Sequence, residues 1–156
     1  FLPGYYEEGG LIIKQAREMG IVQPILGPDG FANSTLVELA GADNVDNVFY
    51  ASHFTPNSED PKVQDFLAAF EAEYGKPADS FAALAYDAAQ LVFDAIANAD
   101  STDPQAITDA LAATEDFEGV TGTFSFDENH NPIKSAFVIE LQDGVEVGNS
   151  IVEPAK

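Results

Sequence analysis

Cysteine and tryptophan are absent, methionine occurs once, and lysine and arginine together number six in 156 residues. Each scarcity closes off a kind of chemistry. Without cysteine there is no disulfide framework, no thiolate nucleophile and no cysteine-based zinc or iron–sulfur site. The six basic residues are scattered from Lys14 to Lys156, so no patch can neutralise phosphates and release counterions. Nucleic acid is therefore excluded as a partner, and an anionic membrane surface fails on the same ground. No run reaches the about 18 apolar residues that a bilayer span needs, so direct membrane insertion is not expected. The opening residues Phe1 to Tyr6 carry no methionine, basic region or small-residue cleavage site. They read as the inside of a strand, as in a fragment or a processed product.

What is plentiful is acid and carbon. The 27 Asp and Glu residues bring the formal charge to −21, yet 46% of the chain is hydrophobic and 11% aromatic. That is too apolar for a disordered acidic tail, and the length suffices to bury a core.

The first third alternates strand and helix. Glu7 to Met19 reads as a helix with acids in its first turn, basic residues late and Gly20 as its stop. Leu11, Ile12, Ala16 and Met19 form its narrow apolar face. Ile21 to Leu26 is a short strand ending in the turn Gly27-Pro28-Asp29-Gly30. Asn33 to Ala40 is a short helix with Thr35 and Glu38 at capping-box spacing, and Asn47 to Ala51 a second strand. This rhythm predicts a parallel α/β sheet.

Beyond Ser52-His53-Phe54-Thr55-Pro56-Asn57 the chain turns mostly helical. Asp60-Pro61 and Asp103-Pro104 each pair an N-cap acid with proline at the first helical position. The first opens a helix striped by Val63, Phe66, Leu67, Phe70 and Tyr74 and stopped by Gly75. Ser80 to Asn98 is the longest helix, with Phe81, Leu84, Ala88, Leu91, Val92 and Ile96 expected inward. Strands follow over Gly119–Phe126, Lys134–Gln142 and Glu146–Val152. Three amphipathic helices between Lys62 and Ala113 thus have no strand among them, and their sheet must come from elsewhere.

The run Phe1-Leu2-Pro3-Gly4-Tyr5-Tyr6-Glu7-Glu8 leading to Gln15–Gly20 resembles the type I periplasmic binding proteins for branched-chain amino acids. Gly27–Gly30, Phe81–Ala88 and Gly122–Asp127 match later blocks of that family in the same order. The resemblance implies an α/β fold of the type I periplasmic-binding-protein kind, with parts of two doubly wound lobes joined by hinge strands. It covers the C-terminal part of such a protein, so the first-lobe sheet would be missing, which accounts for the orphaned helices. Residues 1–52 would then be second-lobe chain carrying the ligand-binding turn and 53–57 a hinge. Residues 58–126 would be first-lobe helices, and 127–156 the return hinge with terminal second-lobe strands. The implied role is the substrate-binding component of an ABC importer, delivering an amino acid to a permease. It implies no enzyme activity, cofactor or metal. The place implied is periplasmic or extracellular, with a lipoprotein anchor carried by the missing N-terminal portion.

The resemblance also assigns ligand-binding residues. Asp29 would answer the ammonium group, because a charge-assisted bond in a closed cleft offsets desolvation. The family usually has an acid there, often glutamate; aspartate is one methylene shorter. Tyr5 would pack on the ligand, with Tyr6 able to take that role if the register shifts by one, and Phe81 would line an apolar pocket. Read without the resemblance, Pro28-Asp29-Gly30 is a solvated turn, and the aromatics are rim or core residues. The partner of the ligand's carboxylate would lie in the absent lobe.

Other constellations have simpler readings. Asp127, Asn129 and Asn131 imitate a calcium loop, but Pro132 and Val138 stand where glycine and glutamate are required. Glu7-Glu8 suits the helix dipole rather than glycoside chemistry. His53 and His130 lack metal-ligand spacing, and Ser52 beside His53 has no nucleophile elbow. A sensor or regulatory module reusing the fold, an engineered fragment, and a hydrolase using Asp29 and His53 remain as rival readings.

Overall fold

The computed structural model describes residues 1–154, without the side chain of Asn149. Its elements in chain order are α1 (Tyr6–Glu18), β1 (Ile25–Gly27), α2 (Thr35–Ala40), β2 (Val48–Ser52), α3 (Pro61–Tyr74), α4 (Ser80–Ala99), α5 (Pro104–Ala112), β3 (Phe117–Gly119), β4 (Gly122–Phe126), β5 (Pro132–Ile133), β6 (Ala136–Gln142) and β7 (Val145–Val152). They divide into two compact units. Unit 1 holds Phe1–Thr55, Asp79–Phe81 and Ala136–Val152; unit 2 holds Pro56–Ala78, Ala82–Ser135 and the residues from Glu153.

Unit 1 is built on a sheet of order β1-β2-β6-β7. Only β1 and β2 run parallel; β6 and β7 are antiparallel, so the parallel rhythm of the first third does not extend to the last strands. The core joins Ile13, Phe31 and Leu36 to Val48, Tyr50, Ile139 and Leu141. The inward face of α1 is not the expected one. Gly9, Gly10 and Ile13 are buried, while Leu11, Ile12 and Met19 face outward, Met19 at 80% exposure. The reason is close approach. A Cβ at Gly10 would stand 2.8 Å from the Leu36 carbonyl oxygen, and one at Gly9 2.7 Å from the Phe31 ring, so glycine admits α2 where a larger residue would push it away.

The strand expected from Ile21 shrinks to Ile25–Gly27. The Arg17 guanidinium explains this: it takes the carbonyls of Ile21 (2.7 Å) and Gln23 (3.0 Å), with those of Asn44 and Asp46, out of any ladder. The expected capping box at Thr35 does not form. Asn33 Oδ1 instead accepts the Thr35 amide at 2.9 Å, and Thr35 lies inside the helix.

In unit 2 both Asp-Pro helix starts stand as expected. Asp60 accepts the Lys62 amide, Asp103 accepts those of Gln105 and Ala106, and Gly75 ends α3 in the left-handed region. On α3 the expected Val63 and Phe66 are buried, though Tyr74 is exposed. The face of α4 is shifted: within unit 2 its buried positions are Ala83, Asp87 and Ala95, while Val92, Phe93 and Ile96 are exposed. By length and composition α4 could cross a membrane. Asp87 in its middle is only 4% exposed and bonded to other parts of the protein, which makes that face a packing face.

The single strand expected over Gly119–Phe126 is a tight hairpin. Gly119 pairs with Gly122, and the tip Val120-Thr121 is buried. The Asp87 carboxylate accepts the amides of Val120 and Thr121, each at 2.8 Å, and the Thr121 hydroxyl at 2.6 Å. Lys134 Nζ donates to that hydroxyl at 2.6 Å and lies 4.9 Å from the centre of the Phe124 ring. Burial holds the Lys134 amine below the usual lysine range, and the nearby Asp87 charge offsets part of that.

A candidate ligand site on unit 1

Four residues named from the sequence, Tyr5, Tyr6, Asp29 and Phe81, lie in unit 1. Leu2 N–H donates to the Leu26 carbonyl at 2.8 Å, which lays the first residues along β1. Tyr5 is then the N-cap of α1, extended and 63% exposed, and its carbonyl accepts the Gly9 amide. Asp29 is exposed and opens a 3-10 turn, Asp29–Phe31, directly after the C-terminal end of β1.

The two segments touch. A Cβ on Gly30 would stand 2.5 Å from the Gly4 carbonyl oxygen and 3.1 Å from Tyr5 Cδ1. Any side chain at position 30 would therefore part the Asp29 turn from the tyrosine. Tyr6 packs against the unit 1 core and meets Phe81 edge to face, with ring centres 6.0 Å apart at 66°. So the fold brings Tyr5 to the Asp29 turn through Gly30, and Tyr6 to Phe81 through their rings. Phe81 is half-exposed in the first turn of α4 rather than inward on its stripe. The two pairs supply a carboxylate, two phenols and an apolar ring, groups that can accept hydrogen bonds from a cation and cover a small hydrocarbon group.

Two contacts in this region were not anticipated. Asn33 Nδ2 donates to Asp79 Oδ2 at 2.7 Å, and the buried hydroxyls of Ser52 and Ser80 lie 3.5 Å apart. The signal for Asn33 was local, an amide side chain at a helix start; nothing in the sequence pointed to Asp79.

Both Asp127 oxygens are engaged within their own loop, by the amides of Asn129 and Asn131 and by Asn131 Nδ2, and these bonds hold its carboxyl below the usual range. Among the described residues no group of three or more histidines and acids is arranged to hold a metal ion. Ser52 Oγ donates to the Phe54 carbonyl at 2.7 Å, so its proton is committed away from His53. Glu7 and Glu8 are exposed in the first turn of α1.

Residues 7–146 match the family described as periplasmic binding protein. The leucine-, isoleucine-, valine-, threonine- and alanine-binding protein of Pseudomonas aeruginosa is 32% identical over 128 residues, 82% of this chain and 34% of that protein. Among solved structures, the branched-chain amino acid transporter substrate-binding protein of Streptococcus pneumoniae, in complex with isoleucine, is 42% identical with a TM-score of 0.87. A leucine-binding protein of Thermotoga maritima is 33% identical, also with a TM-score of 0.87. This chain is covered to 97% in both, but spans only 43% of each of those chains. The fold is thus a part of the type I periplasmic binding protein fold, and the chain belongs to the periplasmic binding protein family.

Proposed function

We propose that the chain is part of the extracytoplasmic substrate-binding component of an ABC importer, taking a branched-chain amino acid such as leucine, isoleucine or valine. The observation that carries this reading is the rim on which Gly30 meets Gly4 and Tyr5. It joins an acid to an aromatic ring at the C-terminal end of a parallel strand, where open α/β sheets take ligands. Asp29 receives the ammonium group, Tyr5 lies on the ligand, and Phe81 with Tyr6 behind it covers the hydrocarbon side chain. Relatives named for leucine, isoleucine and valine support that choice of ligand.

The ligand's carboxylate is answered by the part of the first lobe that lies outside these residues. Residues 1–52 and the terminal strands of 127–156 belong to the second lobe, 58–126 to the first, and 53–57 to the hinge about which the lobes close. Outward apolar side chains support this: Leu11, Ile12 and Met19 in unit 1, and Tyr74, Val92 and Phe93 in unit 2, are surfaces that further chain would cover. The closed protein hands its cargo to a membrane permease from the periplasmic or extracellular side.

Calorimetry separates the parts of this proposal. The 156 residues alone bind leucine weakly or not at all, because half the site is elsewhere; micromolar binding by them would refute the divided site. A longer chain with both lobes binds leucine, and Asp29→Ala weakens it at least about thirtyfold, the cost of leaving a buried ammonium unpaired. Equal affinity in that variant would remove Asp29 from the site.

A further inference from the structure

The short segment that begins α4 is held from two directions within unit 1. Ser80 lies against Ser52 at the end of β2, both hydroxyls buried. Asp79 is held by Asn33, which follows Asp29 in the same turn region and bonds through both ends of its amide. Its Nδ2 donates to Asp79 Oδ2 at 2.7 Å, and its Oδ1 accepts the Thr35 amide at 2.9 Å. Donating to a carboxylate while accepting from a backbone amide is something an amide side chain can do and an ionised acid cannot. One side chain thus ties the turn that carries Asp29 and the start of α2 to the residues that carry Phe81.

We propose that Asn33 is a positioning residue of the amino-acid site. It fixes the distance between the Asp29 turn and Phe81, and so sets the length of hydrocarbon side chain that fits between them. The inference rests on the reading of Asp29 and Phe81 as ligand contacts. It goes further in assigning selectivity for side-chain length to a residue that need not touch the ligand. A folding role alone would lower the amount of active protein and reduce all ligands alike; a spacing role changes their ratio.

The test is made on the two-lobed chain, with leucine and alanine titrated side by side and active fraction read from stoichiometry. Asn33→Asp keeps the bond from Thr35 but sets a carboxylate against Asp79. Leucine affinity is expected to fall about tenfold or more, as for loss of a charge-assisted hydrogen bond, and alanine affinity by less. The exchanged pair Asn33→Asp with Asp79→Asn restores the bond with donor and acceptor reversed, and should return leucine affinity to within about threefold of the parent. Should Asn33→Asp not fold, Asn33→Ser, which can cap Thr35 but is too short for Asp79, takes its place with the same expectations. Unchanged leucine affinity, an equal loss for both ligands, or failure of the exchanged pair to restore binding each overturns the proposal. If the unmutated chain binds neither ligand, it is the functional reading that fails. The nuclear Overhauser contact between the Tyr6 and Phe81 rings then decides on Asn33. Its loss in Asn33→Asp and return in the exchanged pair sustain the positioning role, and its persistence in Asn33→Asp overturns it.

Discussion

In unit 1 the deeply buried side chains are Ile13, Phe31, Leu36, Val45, Val48 and Ile139, gathered between two helices and the strands β2 and β6. In unit 2 the buried apolar side chains include Val63, Phe66, Ala83, Ala95, Val120 and Phe124, and a carboxylate is buried as deeply as most of them. Asp87 gathers the hairpin tip Val120-Thr121, while Phe93 on the same helix is 62% exposed. Unit 1 carries the sheet its helices need. Unit 2 offers three helices and a three-stranded sheet of short strands, and its local order leans on hydrogen bonds to one acid. Apolar burial is spread over many contacts and yields gradually to mutation. A buried acid concentrates several bonds in two atoms, so its removal acts on one place at once.

The largest effect should come from the centre of unit 1. Phe31 is 1% exposed with Gly9 against its ring, and Phe31→Ala leaves a cavity that helices already in close contact cannot fill. Urea unfolding should show a loss of about 3–5 kcal/mol. Phe93→Ala on α4 should change stability by no more than about 0.5 kcal/mol. Similar losses for the two variants would mean that unit 2 is as well packed as unit 1.

The next effect sharpens the contrast from the side of unit 2. Asp87→Ala leaves the amides of Val120 and Thr121 buried without an acceptor, and should cost about 3 kcal/mol. Asp87→Asn, which still accepts through one oxygen, should cost about half of that. Hydrogen exchange gives the local readout: protection of the Val120 and Thr121 amides collapses in Asp87→Ala, while the Tyr50 and Ile139 amides change only with overall stability. Equal protection at Val120 in parent and variant would take away the organising role of Asp87.

How far the sequence could be read follows the range of the interactions involved. The Asp60-Pro61 and Asp103-Pro104 starts and the Gly75 stop are contacts between near neighbours, and they stand as expected. Helix faces were misread wherever a distant partner chose them. Apolar periodicity pointed to Leu11, Ile12 and Met19 on α1, but close packing of α2 selected the glycines. Asp87 converts an expected strand into a hairpin from 33 residues away, and Arg17 removes the carbonyls of Ile21 and Gln23 from the sheet. Tyr5, Asp29 and Phe81 were reached through family resemblance. The Asn33–Asp79 bond, spanning 46 positions, has no periodic or compositional trace, because one hydrogen bond between loops leaves no pattern in the chain.

The smallest effect, and the finest distinction between the units, lies in alkaline solution. In unit 1 the buried Tyr50 hydroxyl donates to Glu146 Oε1 at 2.8 Å, with Thr55 donating to the other oxygen. Burial first, and the Glu146 charge second, raise its pKa far above the usual tyrosine value. In the folded chain Tyr50 therefore keeps its proton at a pH where the unfolded chain releases it. Its contribution is whole below about pH 10 and is lost as pH rises beyond, by up to about 1.4 kcal/mol per unit. Lys134 in unit 2 runs the other way. Its pKa is lowered, so between that value and the ordinary lysine value near 10.4 the unfolded chain binds more protons, and raising the pH favours the fold. Amide exchange followed from pH 8 to 11 and corrected for intrinsic rate should show Val120 holding or gaining protection while Ile139 begins to lose it above about pH 10. Tyr50→Phe should flatten the fall at Ile139, and Lys134→Met should flatten the gain at Val120. Parallel curves for the two amides in the parent chain would mean that the units unfold as one, and that charge in one is felt fully by the other.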